Sequence, residues 1–289
     1  MPYSALRDAI FAHPTMAEGL GFLLANVPPA TCRRPRFKPW RCDDLLVRAG
    51  NEKVFPMIPS WLNVLALASL LAGFACATWI ALDETRHPQH VWIMNLVWPI
   101  TALYGGLLAL WFYYAYGREA THHHAAKEEP PFSVMVAKGA LHCGAGCTIG
   151  DILAEWLAFF VPAVAIWFGY TTLFSEKMFA VWIPDFILAF IFGIGFQYYT
   201  IKPMRNLSVR DGLVAALKAD TLTVTFWQVG MYTFMAFAQF YVFRPVFGAV
   251  AAVNSPEFWF TMQIAMLAGF ITSYPVNWWL INVGIKERM

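Results

Sequence analysis

Residues 141–156 read LHCGAGCTIGDILAEW, which sets one histidine, two thiols and two carboxylates inside an apolar stretch. Residues four apart on an α-helix lie one turn apart on nearly the same face. Cys143, Cys147, Asp151 and Glu155 therefore form a single stripe. Two thiols at this spacing can hold one soft ion between adjacent turns, and sulfur ligands favour Cu(I) or zinc over hard cations. His142 sits about 100° off that stripe on a regular helix, so it joins the ligands only if Gly144 and Gly146 loosen the turn. Asp151 and Glu155 repel one another in a low dielectric unless a proton or a cation lies between them. They are suited either to relaying protons or to compensating the charge of a metal. The structural alternative is that they pair with Lys138 or Lys218 and lock helices together. Gly146 and Gly150 form a GxxxG spacing that lets a neighbouring helix approach closely, which packing alone explains.

The elements that must hold this stripe follow from composition. Of the 289 residues, 59% are hydrophobic and 13% charged, where soluble domains carry about 25% charged residues. With a mean hydropathy of +0.51, the chain is expected to be an all-α, polytopic transmembrane helix bundle in contact with lipid. A net charge of +2 gives no case for nucleic acid, and no Walker loop, GxGxxG or CxxC pair points to a soluble enzyme. Crossing the hydrocarbon takes roughly 20 apolar residues, and about six spans are predicted: 57–82, 91–116, 139–172, 180–201, 213–243 and 257–284. With both termini cytoplasmic, 17 of the 20 Lys and Arg fall on one side, leaving Arg86, Lys177 and Arg244 opposite. Residues 132–174 are too long for one straight crossing, and the glycines and Pro162 predict a kinked or re-entrant element there.

Three regions result: a cytoplasmic or interfacial segment at 1–56, a two-span extension with a His-rich loop at 57–131, and a core of about four spans at 132–289. The opening MPYSALRDAIFAHPTM lacks a signal peptide's pattern and reads as short amphipathic pieces on a membrane surface or as a loose tail. His122, His123 and His124 form either a metal-collecting tract or a solvated loop. Five cysteines give no even disulfide framework, and Cys32 and Cys42 are expected as free thiols in a reducing cytoplasm. Met231 with Met235, and Met262 with Met266, are either core filler or thioether steps for Cu(I).

Four blocks, HCGAGCTIGDILAEW, FGIGFQYYTIKPM, LKADTLTVTFWQVGMY and MQIAMLAGFITSYPVNWWLINVGIKERM, resemble in order a prokaryotic membrane family known as domain of unknown function 4396, over about residues 132–289. The resemblance implies a helical membrane domain, in a prokaryotic inner membrane, and no settled reaction. His142, Cys143, Cys147, Asp151, Glu155, Lys202, Pro203, Met204, Lys218 and Asp220 are its distinctive residues. From the residues themselves, the leading expectation is a soft-metal membrane protein. Cys143 and Cys147 would bind copper, or zinc in second place, with His142 assisting and Asp151 and Glu155 supplying charge or proton coupling. The second is an accessory or structural subunit of a larger membrane complex or homo-oligomer. The third is a thiol enzyme with Cys143 activated by His142. Lipid is the expected partner in all three.

Overall fold

The computed structural model describes residues 58–118 and 130–287. The expected N-terminal amphipathic pieces, Cys32, Cys42 and the His122–His124 tract lie outside them. The described residues form helices α1 (Ser60–Glu84), α2 (Met94–Phe112, continued by a π-helical stretch Tyr113–Gly117), α3 (Phe132–Phe160), α4 (Ala163–Trp167), α5 (Lys177–Arg205), α6 (Val209–Phe237, continued by π-helical Ala238–Phe247) and α7 (Pro256–Asn282), with no strand among them. Five helical stretches, Ser60–Glu84, Met94–Gly117, Phe132–Phe160, Lys177–Arg205 and Pro256–Asn282, are long and apolar enough to cross a bilayer. Helix α6, also 29 residues long, carries Arg210, Asp211, Lys218 and Asp220 in its first half. Large apolar side chains such as Leu71, Leu107, Trp111, Phe160 and Ile271 face outward, as expected where lipid is the solvent.

Local chemistry sets the helix ends. Ser208 caps α6 by accepting from the Asp211 backbone N–H at 3.2 Å. Ser255 caps α7 in the same way, with Pro256 at its first position, where a missing N–H is no loss. Asn206 closes α5 in the left-handed conformation, a role that its short polar side chain tolerates. Helix α3 stops at Val161 and Pro162. The expected kinked or re-entrant element at 132–174 is therefore one continuous helix followed by a short one.

A reversal of course occurs in α2 instead. Gly106 takes φ 50° and ψ −127° inside it, a conformation open to glycine. Trp98 and Tyr113 would be about 22 Å apart on a straight helix, yet their ring centroids are 5.5 Å apart, and Trp98 and Phe112 are 5.7 Å apart. A Cβ on Gly117 would run into the Trp98 ring. The two halves of α2 therefore lie side by side as a hairpin. Its ends meet the end of α1, where Asp83 accepts from Arg118 Nε at 2.8 Å and Tyr113 Oη at 2.8 Å. The tip lies deep: Leu103 O accepts from Gln263 Nε2 of α7 at 2.6 Å, and Tyr104 packs edge-on against Trp227 of α6 with ring centroids 6.0 Å apart.

Helix α3 is the central element, with every residue from Gly139 to Thr148 buried. Its glycines act as contact points rather than breaks. A Cβ on Gly146 would come within 2.6 Å of Gly193 Cα, and one on Gly150 would strike the Ala189 backbone, so α3 and α5 touch main chain to main chain. Gly144 leaves room for the Trp227 ring. Close approach of this kind is what small residues supply between helices in lipid. Met231, Met235, Met262 and Met266 are buried in the same core with Trp227.

Adding side-chain volume at the α3–α5 contact is expected to force the helices apart. Gly150→Val should lower unfolding stability in detergent by about 3 kcal/mol, the upper range for overpacking. Gly195→Ala, where nothing lies within 4 Å of the added carbon, should be neutral or slightly stabilising. Thermal or denaturant unfolding of the purified variants checks both.

Candidate functional site

The stripe read from the sequence faces the interior. Cys143, Cys147 and Asp151 have no solvent exposure and Glu155 is 6% exposed. From Cys143 to Glu155 the stripe rises about 18 Å along α3. Three sets of neighbours meet it at successive depths.

At the end shared by the start of α3 and the end of α7, Lys286 folds back into the core. The turn that returns it contains Gly284 at φ 73°, again in glycine's favoured region. Lys286 Nζ donates to Gly139 O at 3.1 Å, Cys143 Sγ at 3.0 Å and Asp220 Oδ1 at 2.7 Å. Both Lys286 and Asp220 side chains have no solvent exposure. Cys143 Sγ lies 2.8 Å from the same Asp220 oxygen and 3.2 Å from Gly139 O. Burial alone would favour a neutral lysine, but the Asp220 carboxylate and Cys143 outweigh it and hold the Lys286 pKa above the usual lysine value. Beside this pair Glu287 meets Arg205, which ties the last described residue to the end of α5.

Midway along α3, Gln228 Nε2 of α6 donates to Asp151 Oδ1 at 2.7 Å. Asp185 of α5 lies within hydrogen-bonding reach of Asp151, with the Tyr232 hydroxyl of α6 beside it. Tyr232 Oη also donates to Trp182 O at 3.1 Å. Asp151 Oδ2, both Asp185 carboxyl oxygens and Gln228 Oε1 have no donor. Two carboxyl groups facing each other are both acceptors when ionised, so nothing bonds them until one carries a proton or a cation intervenes. Asp151 has no solvent exposure and Asp185 is 1% exposed, so bulk solvent does not reach the pair.

At the far end, Glu155 feels the charge of Lys177 at the start of α5, while Lys177 Nζ donates to Ala158 O at 3.2 Å. A cavity of about 280 Å³ opens here, lined by Glu155, Ala158, Glu176, Lys177, Val181 and Gln239 among others. Glu176 is already engaged by Arg244 Nη2 at 2.9 Å. Val181 is one helical turn from Asp185 and Glu155 one turn from Asp151, so the cavity reaches to within a turn of the carboxyl pair.

The five residues singled out in the sequence thus separate. Cys143 joins Lys286 and Asp220, whereas Asp151 joins Asp185 and Gln228. Glu155 stands at the cavity. Cys147 lies between these groups, influenced by Asp151, Cys143 and Asp185. His142 points off the stripe to Thr200 Oγ1, 2.6 Å from Nε2, and its Nδ1 has no partner. It is not bonded to Cys143, so the nucleophile–base pair that a thiol enzyme needs is not assembled in this structure. Among the described residues no three His, Cys, Asp or Glu side chains gather as a metal-holding group. Lys218, offered as a structural partner for the acids, is exposed. The lysine that enters the core is Lys286, which in the sequence is one more charge near the terminus.

Removing one member of the buried Lys286–Asp220 pair strands a charge, at a cost of about 3–5 kcal/mol, whereas removing both relieves it. Lys286→Met and Asp220→Asn are each expected to lower unfolding stability in detergent by about 3 kcal/mol or more, and the double variant to recover most of the loss. Additive losses in the double variant would show that the two residues do not act as a pair.

No curated protein and no solved structure matches the chain. The four blocks that carried the resemblance fall on α3, α5, α6 and α7, the helices that build this interior, and the family match runs from residue 134 to residue 286, more than half of the chain. The chain belongs to the family described as Domain of unknown function (DUF4396).

Proposed function

We propose that the chain is an ion-coupled membrane protein whose buried carboxyl groups bind and pass protons through the interior of the bundle. The observation that carries this reading is the Asp151–Asp185 pair, two carboxyl groups within bonding reach whose one hydrogen-bond donor is the Gln228 side-chain N–H, the nearby Tyr232 hydroxyl donating instead to Trp182 O. Ionisable groups inside a membrane are expensive, and those retained there commonly serve ion pathways and proton relays. The groups are spaced along α3 as a path requires. The cavity beside Glu155 opens at one end, the carboxyl pair stands midway, and the Lys286–Asp220 ion pair closes the other end.

This reading takes α1, α3, α5, α6 and α7 as five crossings and α2 as a re-entrant hairpin, in place of six crossings with both termini on one side. The contact of Asn63 with Glu257 at 2.9 Å sets the start of α1 beside the start of α7, whereas the start of α3 lies beside the end of α7, where Phe132 packs on Trp278 with ring centroids 4.7 Å apart. Residues 58 and 287 then stand on opposite faces. In this arrangement the α5–α6 connection with Lys202, Arg205 and Arg210 and the start of α1, which eight Lys and Arg precede in sequence, fall on opposite faces, so the one-sided charge expected for six spans is lost and does not orient the chain in a prokaryotic inner membrane.

A soft-metal role would rest on Cys143 and Cys147. The proton reading has more support, because Cys143 already contacts a lysine cation and a carboxylate, and His142 is engaged by Thr200. Copper, or zinc after it, is therefore the second reading. An accessory role in a larger complex or homo-oligomer has no specific contact in its favour.

Reconstitution into liposomes containing a pH-sensitive dye tests the proposal. Under an imposed potential, the wild-type protein is expected to acidify or alkalinise the lumen faster than empty liposomes, and Asp185→Asn to reduce the protein-dependent rate by about tenfold, equivalent to about 1.4 kcal/mol. Wild-type flux equal to that of empty liposomes would overturn it.

A further inference from the structure

We infer that the Asp151–Asp185–Gln228 cluster is a binding site for one dehydrated monovalent hard cation of sodium's class, which competes there with the shared proton. The inference rests on the proton reading above and goes further by naming a second ion for the same oxygens.

The donor set selects the ion. Asp151 Oδ2, Asp185 Oδ1 and Oδ2, and Gln228 Oε1 are four buried oxygens from three helices that no protein donor satisfies. Gln228 is 1% exposed, and its amide is fixed at the pair because Nε2 is held by Asp151 Oδ1 at 2.7 Å. Its unpartnered Oε1 is a neutral acceptor, which a shared proton between the carboxyl groups leaves idle and a cation would use. Oxygen donors without sulfur or nitrogen suit hard cations rather than Cu(I). Calcium takes six to eight oxygens, and magnesium gives up its water reluctantly, so a four-oxygen set closed to solvent fits neither. A single positive charge is also what the site lacks. Lys286 is committed to Asp220, and Lys177, about two helical turns before Asp185 on α5, acts on Glu155.

The ionisable groups that face the pair are Glu155 and Cys147 on α3 and Tyr232 on α6, while Lys177 at the start of α5 acts on Glu155. Access comes from the cavity of about 280 Å³ lined by Glu155 and Val181. When the cation binds the singly protonated pair, the proton leaves to water in that cavity; when the proton returns, the cation is released the same way. Carboxylate oxygens do not change in number, so the exchange is one positive charge for another.

Binding of radioactive sodium to the full chain in detergent tests this, with lithium, potassium, calcium and copper as competitors. The expected result is saturable binding of one sodium per chain at alkaline pH. Its apparent affinity should fall about tenfold for each unit of pH lowered where the proton wins, as one-for-one competition requires. Lithium should displace the label, and calcium and copper should not. Asp185→Asn should abolish binding, while Gln228→Leu should weaken it and leave the protein folded by its unfolding profile. Absence of saturable sodium binding at alkaline pH in folded protein, affinity independent of pH, or displacement by calcium or copper would each overturn the site. The liposome assay separates the two readings. Proton flux lost in Asp185→Asn without sodium binding refutes the sodium site alone, whereas sodium binding without any proton flux refutes the proton path and leaves the site standing.

Discussion

A carboxylate in a low-dielectric interior has to be neutralised by a cation, a proton or several donors, since desolvation otherwise outweighs whatever the fold gains by enclosing it. Four buried acids on or facing the α3 stripe meet that requirement differently. Asp220 has Lys286, which arrives on a returning segment and reaches Cys143 and Gly139 with the same ammonium. Glu155 has the field of Lys177 and a cavity beside it. Asp151 and Asp185 have chiefly each other. The first arrangement is closed and static, while the last is completed only by something mobile.

Backbone proximity makes the unresolved pair possible. Aspartate is short, so two of them on different helices meet only when the helices nearly touch. The Gly150–Ala189 contact, beside Asp151 and one turn from Asp185, and the Gly146–Gly193 contact about one turn further along bring α3 and α5 to that separation. The hairpin of α2 completes the enclosure from another direction. Irregular backbone at membrane depth is tolerated where protein surrounds it and satisfies its polar groups, and Gln263 does so for the Leu103 carbonyl at the hairpin tip. Tyr104 at that tip lies near Cys147 and Cys143, so the hairpin tip lines the interior.

The stripe at 143, 147, 151 and 155 was legible in the sequence because helical periodicity is local, and so was the close contact at Gly146 and Gly150. Asp185, Asp220 and Gln228 were visible as polar groups within apolar runs, but which of them met the stripe depended on helix register across α3, α5 and α6, which no local pattern encodes. Lys286 was legible only as a charge near the end of the sequence. Its return into the core depends on a left-handed turn at Gly284 and on a vacant contact at Asp220. The reversal within α2 was not legible, because 91–116 has the length and apolarity of a span. The Gly105–Gly106 pair was the available signal, and glycines are too common in membrane helices to signal a reversal unaided. The thiols drew attention to soft metals, whereas in the structure Cys143 meets Lys286 and Asp220, and Asp151 meets Gln228 and Asp185 from other helices.

The claim on which this account turns is that Asp151 and Asp185 share an exchangeable proton. Infrared difference spectroscopy on the purified protein reads it directly, through the carbonyl stretch of a protonated carboxyl group in sodium-free buffer. The account expects a protonated-carboxyl band that disappears on titration to alkaline pH and is missing from Asp185→Asn. A spectrum with no such band at any pH, or one unchanged by Asp185→Asn, would contradict it.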